Sequence, residues 1–227
     1  MSIRFDYLPN HPELKIYQDS EMFCINTDTM VLGEFLEIRS KDVVLDIGTN
    51  TGALLIYASA FKPKKMVGID LNERALELAK KNMEINQIKN VKLIRADGNI
   101  FRMDEEADVV IFNPPYFKTL VSDKGQNPYL ALAKHEDNFP LSSMIDCINR
   151  NLRVGGRLYF LFQTSRLMEV IRELDRKKLI VKKMKFVYDE NKMNSTVVLI
   201  KAVKGANQGV NVEKPVVISR NDKTKMD

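Results

Sequence analysis

Apolar runs of strand length alternate with helical segments along this chain, and this alternation limits the fold more than any other feature. The runs cover residues 43–47, 66–69, 91–94, 108–112 and 158–162. Segments of helical composition cover 53–61, 73–86, 141–152 and 166–176, with Asn72 as a candidate N-cap and Gly155-Gly156 as the expected end of the third helix. Strands that alternate with helices form parallel sheets with helical connections. The sequence therefore predicts an α/β fold with a parallel sheet.

The chain ends differ in character from this alternating middle. Two strand candidates, 180–188 and 196–203, are joined by a short polar turn and predict an antiparallel pair. From residue 204 onward Gly, Asn, Lys and Asp dominate, and we expect the last seven or so residues to be disordered. We therefore divide the chain into an N-terminal extension (1–40), a main domain (41–203) and a partly disordered tail (204–227).

Composition is that of an ordinary globular domain, with 227 residues, 44% hydrophobic and 29% charged. Cys24 and Cys147 lie far apart in the chain, and no secretory leader or apolar stretch of roughly 20 residues is evident. These features predict a cytoplasmic protein with no membrane span and no disulfide.

Charge is divided unevenly between the two halves of the chain. Residues 1–113 contain 14 basic and 18 acidic side chains, whereas residues 114–227 contain 21 basic and 12 acidic ones. A basic second half fits a polyanionic substrate such as a nucleic acid. The densest basic run, from Arg176 to Lys185, includes Lys182 and Lys183 as candidate RNA contacts. A solvated helix end and a lysine-protected edge strand would produce the same run.

A glycine-containing loop, Asp46-Ile47-Gly48-Thr49-Asn50-Thr51-Gly52, follows the first predicted strand of the sheet and opens a helix. This is where open α/β sheets bind nucleotides, and Gly48 and Gly52 allow a ligand to approach the backbone closely. The acidic Asp46 disfavours a pyrophosphate and favours a cationic amino-acid group. The loop therefore indicates S-adenosylmethionine as the cofactor.

Acidic residues also end the next two strands. Asp70 is placed to accept hydrogen bonds from both hydroxyls of a ribose. The Asp97 carboxylate, in Asp97-Gly98, is placed to accept a hydrogen bond from the adenine amino group. Leu71, with Ile69 and Ile100, is available to cover the adenine ring. Each acid alone is also typical of a helix cap or a surface charge.

Asn113-Pro114-Pro115-Tyr116 directly follows the strand candidate 108–112. Neither proline has a backbone N–H, so the Pro114 carbonyl and the Asn113 side-chain oxygen are predicted to accept hydrogen bonds from one planar amino group. These acceptors turn the nitrogen lone pair toward an electrophile, while Tyr116 offers a face on which a flipped-out base stacks. The pattern indicates methylation of an amino group, although a rigid turn also explains a Pro-Pro pair.

The segment after this tetrapeptide supplies further candidate substrate contacts. Residues 117–139 lack a clean periodicity and are predicted to form a substrate loop, with disorder as the alternative. The predicted substrate-binding residues are Tyr116, Phe117, Lys118, Lys182 and Lys183.

Together, the 46–52 loop, Asp70, Asp97 and the tetrapeptide resemble the class I S-adenosylmethionine-dependent methyltransferases over residues 40–203. The resemblance implies a Rossmann-like fold, with a seven-stranded, mostly parallel sheet and one antiparallel edge strand. The chain departs from the commonest loop pattern at Asn50, where glycine is usual. Asparagine is the next most tolerant residue of a left-handed backbone, so cofactor binding is still expected.

A narrower resemblance covers nearly the whole chain. The segments 15–23 and 27–32, His135-Glu136 and Lys204-Gly205 are similar to the bacterial tRNA1(Val) (adenine-37-N6)-methyltransferases. The resemblance implies methylation of N6 of adenosine 37, next to the anticodon of tRNA. We further expect methyl transfer without a metal, a monomer or weak dimer, and a cofactor-site role for Thr27. By local pattern alone, Thr27 or Asp28 would cap a helix over 29–38, and His135 would be a loop histidine.

Three other functions stay open on the sequence. The release-factor glutamine methyltransferases share the tetrapeptide but carry a helical N-terminal domain, whereas about 40 residues precede Val43 here. DNA adenine methyltransferases usually add a target-recognition domain. A non-catalytic RNA-binding protein on the same fold is the third alternative.

Overall fold

The computed structural model describes residues 3–114, 140–191 and 194–218. Its strands are β1 (Ile3–Leu8), β2 (His11–Asp19), β3 (Val43–Ile47), β4 (Lys65–Asp70), β5 (Val91–Arg95), β6 (Ala107–Phe112), β7 (Leu152–Gln163), β8 (Leu179–Asp189), β9 (Ser195–Lys204), β10 (Asn211–Val212) and β11 (Val216–Ile218). Its α-helices are α1 (Thr27–Phe35), α2 (Ala53–Ser59), α3 (Glu73–Ile85), α4 (Leu141–Asn151) and α5 (Leu167–Arg176). A 3₁₀ turn, Thr164–Arg166, precedes α5.

The main sheet has the strand order β10-β8-β9-β7-β6-β3-β4-β5, and β11 also pairs with β8. Strand β9 is antiparallel to both β7 and β8, and the other pairings are parallel. This confirms the predicted α/β class and the mostly parallel sheet with one antiparallel strand. The predicted edge position of that strand is wrong, because β9 returns by a hairpin into the space between β7 and β8.

The buried strands were predicted most closely. All five residues of β3 are buried, so the strand appears in the sequence as a continuous apolar run interrupted only by Asp46. Helix α1, in contrast, covers Thr27–Phe35 rather than 29–38. Its N-cap is Asn26, whose Oδ1 accepts the Thr29 N–H at 3.0 Å, so the prediction of Thr27 or Asp28 as the cap is wrong.

The predicted end of the third helix at Gly155-Gly156 is also wrong. Helix α4 ends at Asn151, and the chain continues directly into β7 at Leu152. Gly155 has φ 75° and lies where the pairing of β7 with β6 changes register. The two glycines therefore accommodate a bulge inside a strand instead of closing a helix.

An N-terminal hairpin formed by β1 and β2, which the sequence did not predict, packs along α3. Asn86 exchanges two hydrogen bonds with the backbone of Lys15, at 2.6 and 2.8 Å. Asn82, one helical turn earlier, does the same with Tyr17, at 2.6 and 3.0 Å. These two side chains pair with backbone N–H and carbonyl groups along the edge of β2, as a neighbouring strand would.

The described part of the C-terminal tail extends the sheet. Strands β10 and β11 pair with β8 in parallel and cover its outer edge. The division into 1–40, 41–203 and 204–227 stays a prediction, and the last seven residues lie outside the described part. Within the described ranges, no helix is long and apolar enough to cross a membrane, and no three His, Cys, Asp or Glu side chains cluster as metal ligands.

Candidate active site

The predicted cofactor-loop, Asp70, Asp97 and Asn113 positions lie together at the carboxyl ends of four neighbouring parallel strands, β6, β3, β4 and β5. In the pairing of β3 with its two neighbours, Ile47 lies opposite Ile69 of β4 and Phe112 of β6. Asp70 at the end of β4 lies opposite Arg95 of β5. The chain segments that begin after these positions therefore start side by side.

The cofactor loop, residues 46–52, is held by backbone hydrogen bonds to β4. The Thr49 N–H donates to the Ile69 carbonyl at 2.9 Å, and the Asn50 N–H donates to Oδ2 of Asp70 at 2.8 Å. Asn50 has φ 48° and occupies the left-handed region that the sequence predicted it would tolerate. These bonds fix the path of the loop from the strand into α2.

The two loop glycines have different environments. Gly52 has φ 83°, and a Cβ there would lie 2.9 Å from Cε of Met83 on α3. Gly48 has φ 69°, and a Cβ there would have no described atom within 4 Å. Gly52 thus allows α2 to pack on α3, whereas Gly48 keeps one face of the loop open.

Asp46 is fully enclosed beneath this loop. Its Oδ2 accepts a hydrogen bond from the Thr49 hydroxyl at 2.7 Å, and its buried Oδ1 has no hydrogen-bond partner in the described part of the chain. Burial raises the pKa of Asp46 to about 7; the Thr49 hydrogen bond opposes this shift and the neighbouring Asp70 adds to it. The carboxyl group is therefore poised to ionise when a cation approaches.

Asp70 organises the loop and the next helix together. Besides the Asn50 N–H, its carboxylate accepts the Asn72 N–H at 2.9 Å, and Asn72 caps α3. Burial raises the pKa of Asp70, and the backbone hydrogen bonds lower it. Each carboxylate oxygen has two lone pairs, so the backbone bonds from Asn50, Leu71 and Asn72 leave acceptor capacity for one further donor, such as a ribose hydroxyl.

The Asp97 region has the polar and apolar character expected of an adenine site. Oδ1 of Asp97 accepts the N–H and the side-chain amide of Asn99, at 2.8 and 2.9 Å. Leu71 and Ile100, which flank this loop, have 56% and 80% of their surface exposed. Exposed aliphatic side chains beside an acidic acceptor suit a planar heterocycle.

Arg150 of α4 fixes the same loop through hydrogen bonds, a role that the sequence did not predict. Its guanidinium donates to the carbonyls of Gly98, Asn99 and Phe101 at 3.0, 3.1 and 2.9 Å. Nothing local marks this arginine, because its partners lie about 50 residues earlier in the chain.

Asn113 and Pro114 follow β6, next to the start of the cofactor loop. Pro114 is buried, and Asn113 is partly buried. The preceding Phe112 ring stacks on Phe160 of β7, with centroids 5.8 Å apart, so this strand end is firmly packed. Pro115, Tyr116, Phe117, Lys118 and the 117–139 loop with His135-Glu136 lie outside the described residues.

The remaining predicted contacts lie on α1 and on β8. Thr27 is the first residue of α1, directly after its cap. Lys183 on β8 pairs with Glu37 and Glu213, at 2.6 and 2.7 Å, and Lys182 donates to the Asn207 carbonyl at 3.1 Å. Strand β8 is three strands from β6, or about 14 Å.

The site suits S-adenosylmethionine on these observations. A buried carboxylate oxygen without a described partner lies beneath a loop whose Gly48 face is open. This combination matches a cationic amino-acid group, while Asp70 and Asp97 match a ribose and an adenine. The individual cofactor-binding and substrate-binding roles stay predictions.

Comparisons with known proteins place methyltransferases among the relatives of this chain. A tRNA1(Val) (adenine(37)-N6)-methyltransferase of Pseudoalteromonas translucida is 25% identical over 154 residues, which is 67% of this chain and 66% of that protein. A Methanocaldococcus jannaschii protein, provisionally named a protein N5-glutamine methyltransferase, is 34% identical over 115 residues, or 50% of this chain and 53% of that protein. The chain thus spans between about half and two thirds of the length of these curated relatives.

Solved structures share this fold. A predicted O-methyltransferase from Agrobacterium tumefaciens has a TM-score of 0.61 at 15% identity, covering 84% of this chain and 86% of that one. At the level of family models, residues 13–190 match the methyltransferase small domain. The chain therefore belongs to the methyltransferase small domain family, a branch of the class I S-adenosylmethionine-dependent methyltransferases.

Proposed function

We propose that this protein transfers a methyl group from S-adenosylmethionine to the exocyclic N6 of an adenosine in tRNA, with adenosine 37 of tRNA(Val) as the candidate nucleotide. The observation that carries the proposal is the position of Asn113 and Pro114. They begin where Phe112 lies opposite Ile47, the residue before Gly48 of the cofactor loop. A receptor for an amino group is thereby adjacent to the loop expected to hold the methyl donor.

Asn113 and Pro114 act on the nucleophile. The Asn113 side-chain oxygen and the Pro114 carbonyl each accept one hydrogen bond from the amino group and favour the positive charge that develops on its nitrogen. When bound, S-adenosylmethionine would supply an electrophilic methyl group and be left as S-adenosylhomocysteine by cleavage of its sulfur–methyl bond, and the nitrogen that accepts the methyl would lose one proton to solvent. Tyr116 stacks the flipped-out base, and Phe117 braces the stack.

The tRNA substrate rests on two kinds of support. Relatives named tRNA1(Val) (adenine(37)-N6)-methyltransferases are similar over 67% and 63% of this chain. The excess of basic residues after residue 113 also suits a polyanion. The proposed contacts to the tRNA phosphates are Lys118, Lys182 and Lys183. Lys183 would have to exchange its present partners, the carboxylates of Glu37 and Glu213, for a phosphate.

A second candidate is methylation of a glutamine side chain in a protein. The specific observation in its favour is the 34% identity, over 115 residues, to the relative named for that activity. A carboxamide also presents a planar NH₂ group, so the same two acceptors would hold it. The two candidates differ in substrate class and share the chemistry at Asn113.

The test is a product assay. The purified protein is incubated with methyl-labelled S-adenosylmethionine and, in separate reactions, with unmodified tRNA, double-stranded DNA or unmethylated release factor. Labelled N6-methyladenosine after digestion of the tRNA supports the proposal. Label in glutamine supports the second candidate, whereas label only in DNA, or none in any substrate, contradicts both.

A further inference from the structure

Asn50 occupies a loop position where class I methyltransferases usually carry glycine, and its side chain makes a specific bond. At φ 48° the residue has a left-handed backbone, which asparagine tolerates better than other non-glycine residues. Its side-chain Nδ2 donates a hydrogen bond to the carbonyl of Phe23 at 2.6 Å. A glycine at this position would have the backbone freedom but no such bond.

Phe23 belongs to the connecting segment 20–26, which joins the N-terminal hairpin to α1. The first half of the segment is fixed to α3, because Met22 packs on Ala75 and Leu78. Its second half is fixed to the hairpin, because the Ile25 N–H donates to Oε1 of the buried Gln18 at 2.7 Å. Between these two anchors, the Asn50 amide connects the segment to the cofactor loop.

The backbone and side chain of Asn50 thus face two different parts of the cofactor site. The N–H is held by Asp70 at 2.8 Å, and the side chain holds Phe23. The connecting segment leads within four residues to Asn26, which caps α1, and to Thr27, its first residue. A change in the segment's position therefore moves the start of α1 relative to the cofactor loop.

We propose that Asn50 is a positioning residue for the cofactor, acting through the connecting segment. Its amide keeps residues 20–26, and with them the start of α1, fixed relative to the cofactor loop. The inference rests on the cofactor of the proposed function and is independent of the methyl acceptor. The glycine found at this position in related loops permits the same turn but leaves the connecting segment unattached to it.

The chain offers a matched pair of variants for the test. Asn50→Gly keeps the left-handed turn and removes the side-chain bond. Asn10→Gly makes the same change in the turn between β1 and β2, where Asn10 has φ 62° and its amide donates to Glu34 at 2.5 Å. Asn50→Asp, a third variant, keeps the shape but replaces the donor with an acceptor that faces the Phe23 carbonyl.

Binding of S-adenosylhomocysteine is measured by calorimetry, and amide exchange of residues 20–26 by mass spectrometry. Asn50→Gly is expected to weaken binding by about three- to tenfold and to speed exchange in the segment, with a larger effect for Asn50→Asp. Asn10→Gly is expected to leave both unchanged, because Glu34 lies in the last turn of α1, at the end away from the connecting segment. Unchanged affinity in Asn50→Gly overturns the proposal, and so does weaker binding with unchanged exchange, because the amide would then act directly on the ligand.

Failure of the Asn50 inference can be told apart from failure of the proposed function. S-adenosylhomocysteine binding needs no methyl acceptor, so a wrong assignment of tRNA leaves the comparison intact. Wild-type protein that fails to bind S-adenosylhomocysteine would overturn this inference and the cofactor assignment together.

Discussion

Asn82 of α3 and Tyr17 of β2 share two hydrogen bonds, with Oδ1 accepting the Tyr17 N–H at 2.6 Å and Nδ2 donating to its carbonyl at 3.0 Å. The same Nδ2 also donates to the carbonyl of Thr51 in the cofactor loop, at 2.9 Å. One fully buried side chain therefore connects the N-terminal hairpin, α3 and the loop.

Replacing Asn82 with alanine is expected to destabilise the protein strongly. It leaves one N–H and two carbonyls without this partner in a buried place, at a cost of roughly 3 kcal/mol in the free energy of unfolding. Asn86→Ala, which removes the equivalent exposed bonds to Lys15, should cost less than about 1 kcal/mol. Urea denaturation of both variants measures the difference, and equal losses would contradict the bridging role of Asn82.

Alanine substitutions at the two glycines of the cofactor loop should affect stability and cofactor affinity differently. Gly52→Ala adds backbone strain of about 1 kcal/mol at φ 83° and also displaces the flexible end of Met83, so it should destabilise the fold by roughly 1–2 kcal/mol. Gly48→Ala meets no described atom within 4 Å, so its cost is mainly backbone strain of about 1 kcal/mol.

Binding is expected to rank these variants in the opposite order. The added methyl at Gly48 lies on the open face of the loop and should weaken S-adenosylhomocysteine binding by more than about tenfold. Titration calorimetry beside thermal denaturation tests this ranking. A Gly48→Ala variant with wild-type affinity would place the ligand elsewhere.

The strand positions were predictable because the sheet is buried. Strands such as β3 and β6 are apolar because nearly all of their residues are buried. Val43–Ile47 and the run ending at Phe112 can therefore be recognised in the sequence. The acids near the ends of β3 and β4 were also visible, and the structure brings them close enough that Asp70 contributes to raising the pKa of Asp46.

Features that depend on distant partners were missed for a physical reason. The β1–β2 hairpin is stabilised by Asn82 and Asn86, which lie 65 and 71 residues away from their backbone partners. Arg150 holds the Asp97 loop across about 50 residues. Such bonds leave no local period, so only the folded chain reveals them.

Asp46 should make the unliganded protein less stable as the pH rises. Its carboxyl pKa is raised from 3.8 in the unfolded chain to about 7 when folded, so the folded state holds the extra proton between these values. The resulting stabilisation is complete below about pH 4 and is lost as the pH approaches 7. Between pH 5 and pH 7, wild type should lose on the order of 2 kcal/mol relative to Asp46→Asn.

Ligand binding should show the opposite pH dependence. A cationic amino group favours the ionised Asp46, so affinity for S-adenosylhomocysteine should rise from pH 5.5 to about pH 7.5 in wild type and stay flat in Asp46→Asn. Denaturation and calorimetry across this range measure both effects. Parallel curves for the two proteins would show that Asp46 is not the titrating group.

Arg150 is expected to support the adenine side of the site. Arg150→Ala removes the donors to Gly98, Asn99 and Phe101, so amide exchange over residues 97–101 should increase and S-adenosylhomocysteine affinity should fall about three- to tenfold. Arg153→Ala is the matched control, because Arg153 pairs with Asp108 at the opposite end of β6. Equal affinity losses in the two variants would refute a local role for Arg150.

The central claim is that Asn113 prepares an amino group for methylation, and a single-turnover rate tests it most directly. The measurement uses the accepted substrate and saturating S-adenosylmethionine, with wild type, Asn113→Ala and the control Asn90→Ala. Asn90 bonds to the Pro63 carbonyl before β5, at the sheet edge opposite the site. We expect Asn113→Ala to be slower by more than tenfold, which is about 1.4 kcal/mol of transition-state stabilisation, and Asn90→Ala to match wild type. An Asn113→Ala rate within tenfold of wild type would contradict the account.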